Sequence, residues 1–211
     1  MTVETVGQPK LSHSAAAIRV FAMLAVSGAV VGGLWALLAP PVHGAVVLSQ
    51  RGERVSGFLG DESDRLFLGA FLMVGFLGVL AVVATAAVWW WRAHRGPQMV
   101  AALSLGALAA GGIGSSLGNA LVHWRYGTVD VAAAPISPEH RVFYTTEAPS
   151  AFFGQSPWLI AATVVFPAGV AALLYALCAL AAKRDDLAAW PPVERVPRPP
   201  VPVTDGVSNA D

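Results

Sequence analysis

The chain has 211 residues, 55% of them hydrophobic and 12% charged, whereas an ordinary soluble domain carries about 25% charged residues. Thirteen basic residues balance thirteen acidic ones, so there is neither the basic excess that nucleic acid attracts nor an acidic solvating tail. Nucleic acid is not an expected partner, and the composition is that of a membrane protein. Cys178 is the one cysteine, which rules out an intrachain disulfide and a cysteine-rich metal site.

Residues 1–14 are too polar to pack and read as an extended N-terminal segment. A helix that spans a bilayer needs about 20 uncharged, mostly apolar residues, because each adds about 1.5 Å across a hydrocarbon core of about 30 Å. Four stretches meet that need: Val20 to Val42, Leu66 to Trp91, Pro97 to Val122 and Ser156 to Ala182. None contains Asp, Glu, Lys or Arg. The first follows Lys10 and Arg19 as a signal peptide would, but its apolar core is too long for one, so it reads as a retained anchor. The predicted fold class is an all-α membrane protein with one four-helix domain over residues 15–182.

Between the first two spans, "AVVLSQ" and "ERVSGFLG" are β-prone runs separated by Arg51 and Gly52, the pattern of a hairpin. "HRVFYTT", between the third and fourth spans, is another such run. Together they make either a small extracytoplasmic β element or irregular loops on the headgroups; the sequence leaves both open.

The second span ends in "WWWRAHRGP". Indole rings favour the headgroup level and arginines reach anionic lipid, so Trp89, Trp90, Trp91, Arg92 and Arg95 are read as a membrane-interface anchor. A specific headgroup site at Arg92, His94 and Arg95 is the sharper alternative. Trp124 and Trp158 mark the opposite interface. Short cytoplasmic loops keep Lys and Arg, so Arg92 and Arg95, with Lys183 and Arg184 after span four, predict a plasma-membrane protein with both termini cytoplasmic. Arg51, Arg54, Arg65, Arg125 and Arg141 on the other side argue against that orientation.

Within lipid, helices associate through close backbone approach at small residues. Gly28 and Gly32 in span one, and Ala110, Gly114 and Gly118 in span three, recur every four residues and form such faces. Beside them run Ser115, Asn119 and His123. Gly28, Gly32, Ala110, Gly114, Gly118 and Asn119 are the candidate packing residues, either inside the bundle or against another membrane protein. Pro167 should kink span four by freeing a backbone carbonyl. Residues 183–211 hold "WPPVERVPRPPVPV" and read as a disordered, Pro-rich cytoplasmic tail, in which Pro199 and Pro202 match the spacing of a proline-recognition motif.

Ionisable residues inside spans usually mark chemistry, and these spans have none. The five histidines are scattered, and no catalytic or metal-binding spacing stands out. The expectation is therefore a protein without catalytic residues, metal or cofactor.

The run from Glu62 to Gly118, with its charged residue before span two, its tryptophan and arginine leading into "RGPQM", and its glycine-rich third span, resembles a family of four-span actinobacterial membrane proteins. That family is the domain of unknown function 2567, and the resemblance covers roughly residues 20–182. It implies a mycobacterial-type cell-envelope protein. The chain also looks like the mycobacterial lipid-uptake coordinators, which implies an accessory subunit of the Mce lipid-import machine with a permease complex as partner. The leading functional expectation is thus a non-enzymatic subunit that stabilises a lipid-import complex. The alternative is a small lipid-handling enzyme or carrier that binds lipid between its outer loops and span four, through Glu147, His140, His123 and Asn119. A free-standing homo-oligomer is the third reading.

Overall fold

A computed structural model describes residues 12–182. The N-terminal segment to residue 11 and the Pro-rich tail from 183 on, including Lys183, Arg184 and the Pro199 and Pro202 motif, lie outside the described residues. Four long helices carry the fold: α1 (His13–Leu38), α2 (Ser63–Trp90), α3 (Pro97–Tyr126) and α4 (Pro157–Leu180). All four are long and apolar enough to cross a membrane. A sheet of β1 (Val42–Leu48), β2 (Arg54–Phe58) and β3 (Val142–Glu147) completes it.

The helix ends follow from local chemistry. Ser12 caps α1, its Oγ accepting from the Ala15 N–H at 3.3 Å, so the helix begins seven residues before the apolar run and includes the exposed Arg19. Ser156 caps α4 in the same way, with Pro157 in the first turn where a missing N–H costs nothing. Gly127, at φ 71°, ends α3 at a conformation that other residues rarely adopt. Span one stops at Leu38 rather than Val42, because Val42 is the first residue of β1. An apolar run does not by itself say where a helix yields to a buried strand.

The β element is a three-stranded antiparallel sheet in the order β2-β1-β3. β1 and β2 form a hairpin, the first of the two alternatives the sequence left open. Its turn is held by Ser49, whose Oγ accepts from the Arg51 and Glu53 N–H groups at 3.2 Å each, with Gly52 at φ 80°. β3 pairs with the other edge of β1, from Val42 opposite Glu147 to Val47 opposite Val142. Because β1 and β3 come from different loops, their pairing gathers the C-terminal ends of α1 and α3 and the N-terminal ends of α2 and α4 at one end of the bundle. The opposite end holds the short turn Arg92–His94 between α2 and α3. There the ring of His94 meets that of His13 at 5.2 Å, and the Tyr175 hydroxyl accepts from the Gly96 N–H at 3.1 Å.

The helices are not equal partners. α3 is the hub, packing chiefly on α1 and next on α4, while α2 leans mainly on α4. One apolar cluster, around Leu24, Leu103 and Tyr175, fills the turn end. A second, around Trp35, Met73 and Val122, fills the sheet end. Outward faces carry Met23, Val26, Val30, Val79 and Leu173, all well exposed, as expected of surfaces that lie against lipid chains.

Candidate functional site

Three local arrangements bear on function: the small-residue seam, the aromatic turn and a cavity beneath the sheet.

In the seam, the glycine faces of α1 and α3 meet each other. A Cβ on Gly28 would lie 2.5 Å from the Ala110 Cα, one on Gly114 would lie 2.7 Å from the Gly28 carbonyl oxygen, and one on Gly32 would collide with the Gly114 carbonyl. Gly118 sits under the Trp35 ring, 2.8 Å from where its own Cβ would be. Gly28, Gly32, Ala110, Gly114 and Gly118 are therefore the glue of this chain's own bundle, all of them buried, and are closed to another protein. Of the two readings the sequence left open, packing inside the bundle is the one this geometry supports. A second close contact was missed: Gly111, four residues before Ser115, opens another side of α3 to α4, where a Cβ would meet the Val164 carbonyl at 2.5 Å and the Pro167 ring at 3.2 Å. α4 stays helical through Pro167, which is buried in that contact.

Hydroxyls in the helices turn inward on their own backbone. Thr85 donates to the Ala81 carbonyl at 2.7 Å, Ser115 to Gly111 at 2.6 Å and Thr163 to Leu159 at 3.1 Å. Each such bond satisfies a polar group that lipid cannot.

At the turn end the three tryptophans divide their roles. Trp90 is 85% exposed and faces outward. Trp89 packs edge-on against Tyr175 at 5.3 Å, and Trp91 lies against His94 at 4.3 Å. Arg95 folds back instead of reaching out. Its guanidinium lies 4.1 Å over the Trp89 ring and donates twice to the Trp89 carbonyl, at 2.9 and 2.7 Å, capping the last turn of α2. The anchor as read from sequence thus keeps Trp90 and the exposed Arg92 on the surface, while Trp89, Trp91 and Arg95 build the turn. Trp124 and Trp158, 87% and 84% exposed, ring the sheet end.

Beneath the sheet is a cavity of about 630 Å³. Asn119 and His123 reach it from α3, Glu147 from the end of β3, Ser56 and Phe58 from β2, Leu66 from α2 and Ile160 from α4; Phe152 and Gln155 line it from the β3–α4 connection. His123 donates through Nδ1 to the Asn119 backbone carbonyl at 2.7 Å; in the neutral ring Nε2 is then an acceptor. The sequence singled out Asn119, His123 and Glu147, and the fold brings these three together. His140 is not among the lining residues. Phe58, Leu66, Phe152 and Ile160 were missed, because no local pattern announces that four distant segments converge. Asn119 faces this space and does not bond across the α1–α3 seam.

Beside the cavity, Glu62 ties sheet to helix. Its carboxylate accepts from the His43 backbone N–H and meets the His43 ring, both at 3.1 Å, and pairs with Arg65 at 3.2 Å. Among the described residues no three His, Cys, Asp or Glu side chains gather as a metal site would require.

Four apolar helices knit through glycine, with a small sheet at one end and tryptophans at both, are compatible in length and composition with a multi-pass membrane protein. Residues 24–189 match the family described as protein of unknown function DUF2567, and the chain belongs to that family. It is 48% identical over 172 residues to the uncharacterized protein Rv1591 of Mycobacterium tuberculosis, covering 81% of this chain and 89% of the relative. The uncharacterized protein Mb1617 of Mycobacterium bovis matches to the same extent. ML1222 of Mycobacterium leprae is 46% identical over 164 residues, 78% of this chain and 83% of that protein. No solved structure matches the chain significantly.

Proposed function

We propose that this protein is a non-enzymatic subunit of the plasma membrane, with both termini cytoplasmic, that docks on and stabilises a larger envelope complex through its sheet. A Mce-type lipid importer is the complex we favour, on the resemblance drawn from the sequence. The observation that carries the docking role is the apolar surface of the sheet. Exposed leucines and valines on the helices are accounted for by lipid. Exposed Val55, Val142 and Tyr144, the last at 70%, are not, since they project from strands beyond the spans. Both β2 and β3 are edge strands, and among the described residues no further strand pairs with them, so each offers backbone groups for strand addition. Arg92 and Arg95 in the short turn support a cytoplasmic turn end and a sheet on the outer side.

Purification of the tagged protein from native membranes at endogenous expression, with mass spectrometry of what accompanies it, tests this role. Stoichiometric permease, ATPase and lipid-binding subunits are expected, and they should be lost from a Val55→Lys, Tyr144→Lys double variant that still inserts. Recovery of the chain alone in several mild detergents would count against an accessory subunit. A second reading, a lipid carrier or lipid-handling enzyme, is favoured by the cavity that gathers Asn119, His123 and Glu147.

A further inference from the structure

We propose that the cavity under the sheet holds a single membrane amphiphile whose polar end bears hydroxyl or amine donors and no negative charge. The inference deepens the carrier reading and rests on it; it does not depend on docking by the sheet.

Its size suits a headgroup and the adjoining part of one acyl chain, within the usual range of small-molecule sites, about 300–1,000 Å³. The wall is divided. Phe58, Leu66, Phe152 and Ile160 supply apolar surface, and Asn119, His123, Glu147 and Gln155 supply polar atoms. The exposed Trp158 and Trp124 lie next in sequence to lining segments of α4 and α3, at the level where indoles meet headgroups. A lipid entering there would keep its chains in the bilayer.

The head chemistry follows from charge. Glu147 is the one ionisable acid in the wall, and no Lys or Arg lines it. Among the described residues the Glu147 carboxylate has no ion pair and no side-chain hydrogen bond. Arg54, the cation next to the wall through Val131, has its guanidinium engaged on the Val131 and Ala132 carbonyls. In its neutral form His123 adds an acceptor at Nε2. A phosphate would meet the Glu147 carboxylate with no cation in the wall to offset the repulsion, and the amides of Asn119 and Gln155, which can donate to it, are neutral. A hydroxylated or amine head would give the Glu147 carboxylate the donor it lacks.

The test uses the full chain in phosphatidylcholine nanodiscs, with two photoreactive probes of identical acyl chains, a diacylglycerol and a phosphatidic acid. Cross-linked peptides are compared between the cavity segments and the lipid-facing stretch around Val79 and Val83. The diacylglycerol should label the cavity about tenfold over the phosphatidic acid, since like charges at such range cost that much or more. Glu147→Lys should reverse the preference. Glu147→Gln, which keeps the side chain's shape, should bring the two probes close to parity, and Ile160→Trp should reduce labelling by both. Equal labelling that neither Glu147 variant alters overturns the head chemistry and leaves the carrier reading standing. Labelling of the cavity no stronger than at Val79 and Val83, for either probe, overturns both.

Discussion

A Cβ added to Gly114 would lie 2.7 Å from the carbonyl oxygen of Gly28, so α1 and α3 touch backbone to backbone where these two glycines meet, and neither position has room for a side chain. In lipid there is no water-driven force to bring helices together, and close approach of this kind supplies the van der Waals contact that replaces it. Gly28→Leu or Gly114→Leu should therefore destabilise the bundle by about 1–3 kcal/mol or more, as overpacking does. Gly33→Leu, on the same helix with open space at its Cβ, serves as the control. Thermal denaturation in detergent should separate them by several degrees; equal melting of all three would show that the seam is not tight. Loss of a partner from a Gly114 variant would accordingly report on the fold and not on docking.

Trp35 joins three helices. From α1 its indole N–H donates to the Gly69 carbonyl of α2 at 2.7 Å, while its ring covers Gly118 of α3. Trp35→Phe should remove this second bond to a carbonyl that α2 already uses in its own ladder, and lower stability by about 0.5–1.5 kcal/mol. Trp90→Phe, on an exposed ring, should leave denaturation unchanged. If the two variants melt alike, the indole bond contributes nothing.

Arg95 and Arg92 should behave differently despite their closeness. Arg95→Lys keeps the charge but loses the paired donation to the Trp89 carbonyl and the stacked guanidinium, so amides in the last turn of α2 should exchange faster with deuterium. Arg92→Lys should leave the same amides protected. Matching exchange rates in the two variants would refute the capping role.

Glu62 fastens the sheet to α2 through His43. Replacing it with Gln removes the charge from both bonds and from the Arg65 pair, so β1 amides should lose protection while those of α1 and α3 keep theirs. Uniform change across the chain would point to a global effect instead of a local tether.

The four spans were legible because an uncharged apolar run of that length has few other uses. Their ends were less so: Ser12 sets the start of α1 through one capping bond, and Val42 is as apolar in a strand as in a helix. Glycine spacing located the α1–α3 seam, since every fourth residue shares a helix face, but spacing cannot say whether the facing surface belongs to the same chain. Gly111 escaped because its face is shared with Ser115, whose hydroxyl drew the reading toward polar contacts. The hairpin was visible in two β-prone runs around Gly52, whereas the β1–β3 pairing joins residues about a hundred positions apart. The tryptophan triplet looked uniform in sequence; successive residues on a helix point about 100° apart, so Trp89 and Trp90 could not share one environment. Of the cavity, only the polar residues stood out, because an apolar wall residue looks like any other.

The most direct test of the docking role is site-specific photo-cross-linking in living cells, with a photoreactive amino acid at Val55 or Tyr144 on the sheet and at Val26 or Leu173 on the lipid-facing helices. The account predicts discrete protein adducts of defined mass from the two sheet positions and none from the helix positions. Absence of adducts from the sheet, or the same adducts from all four positions, would contradict it.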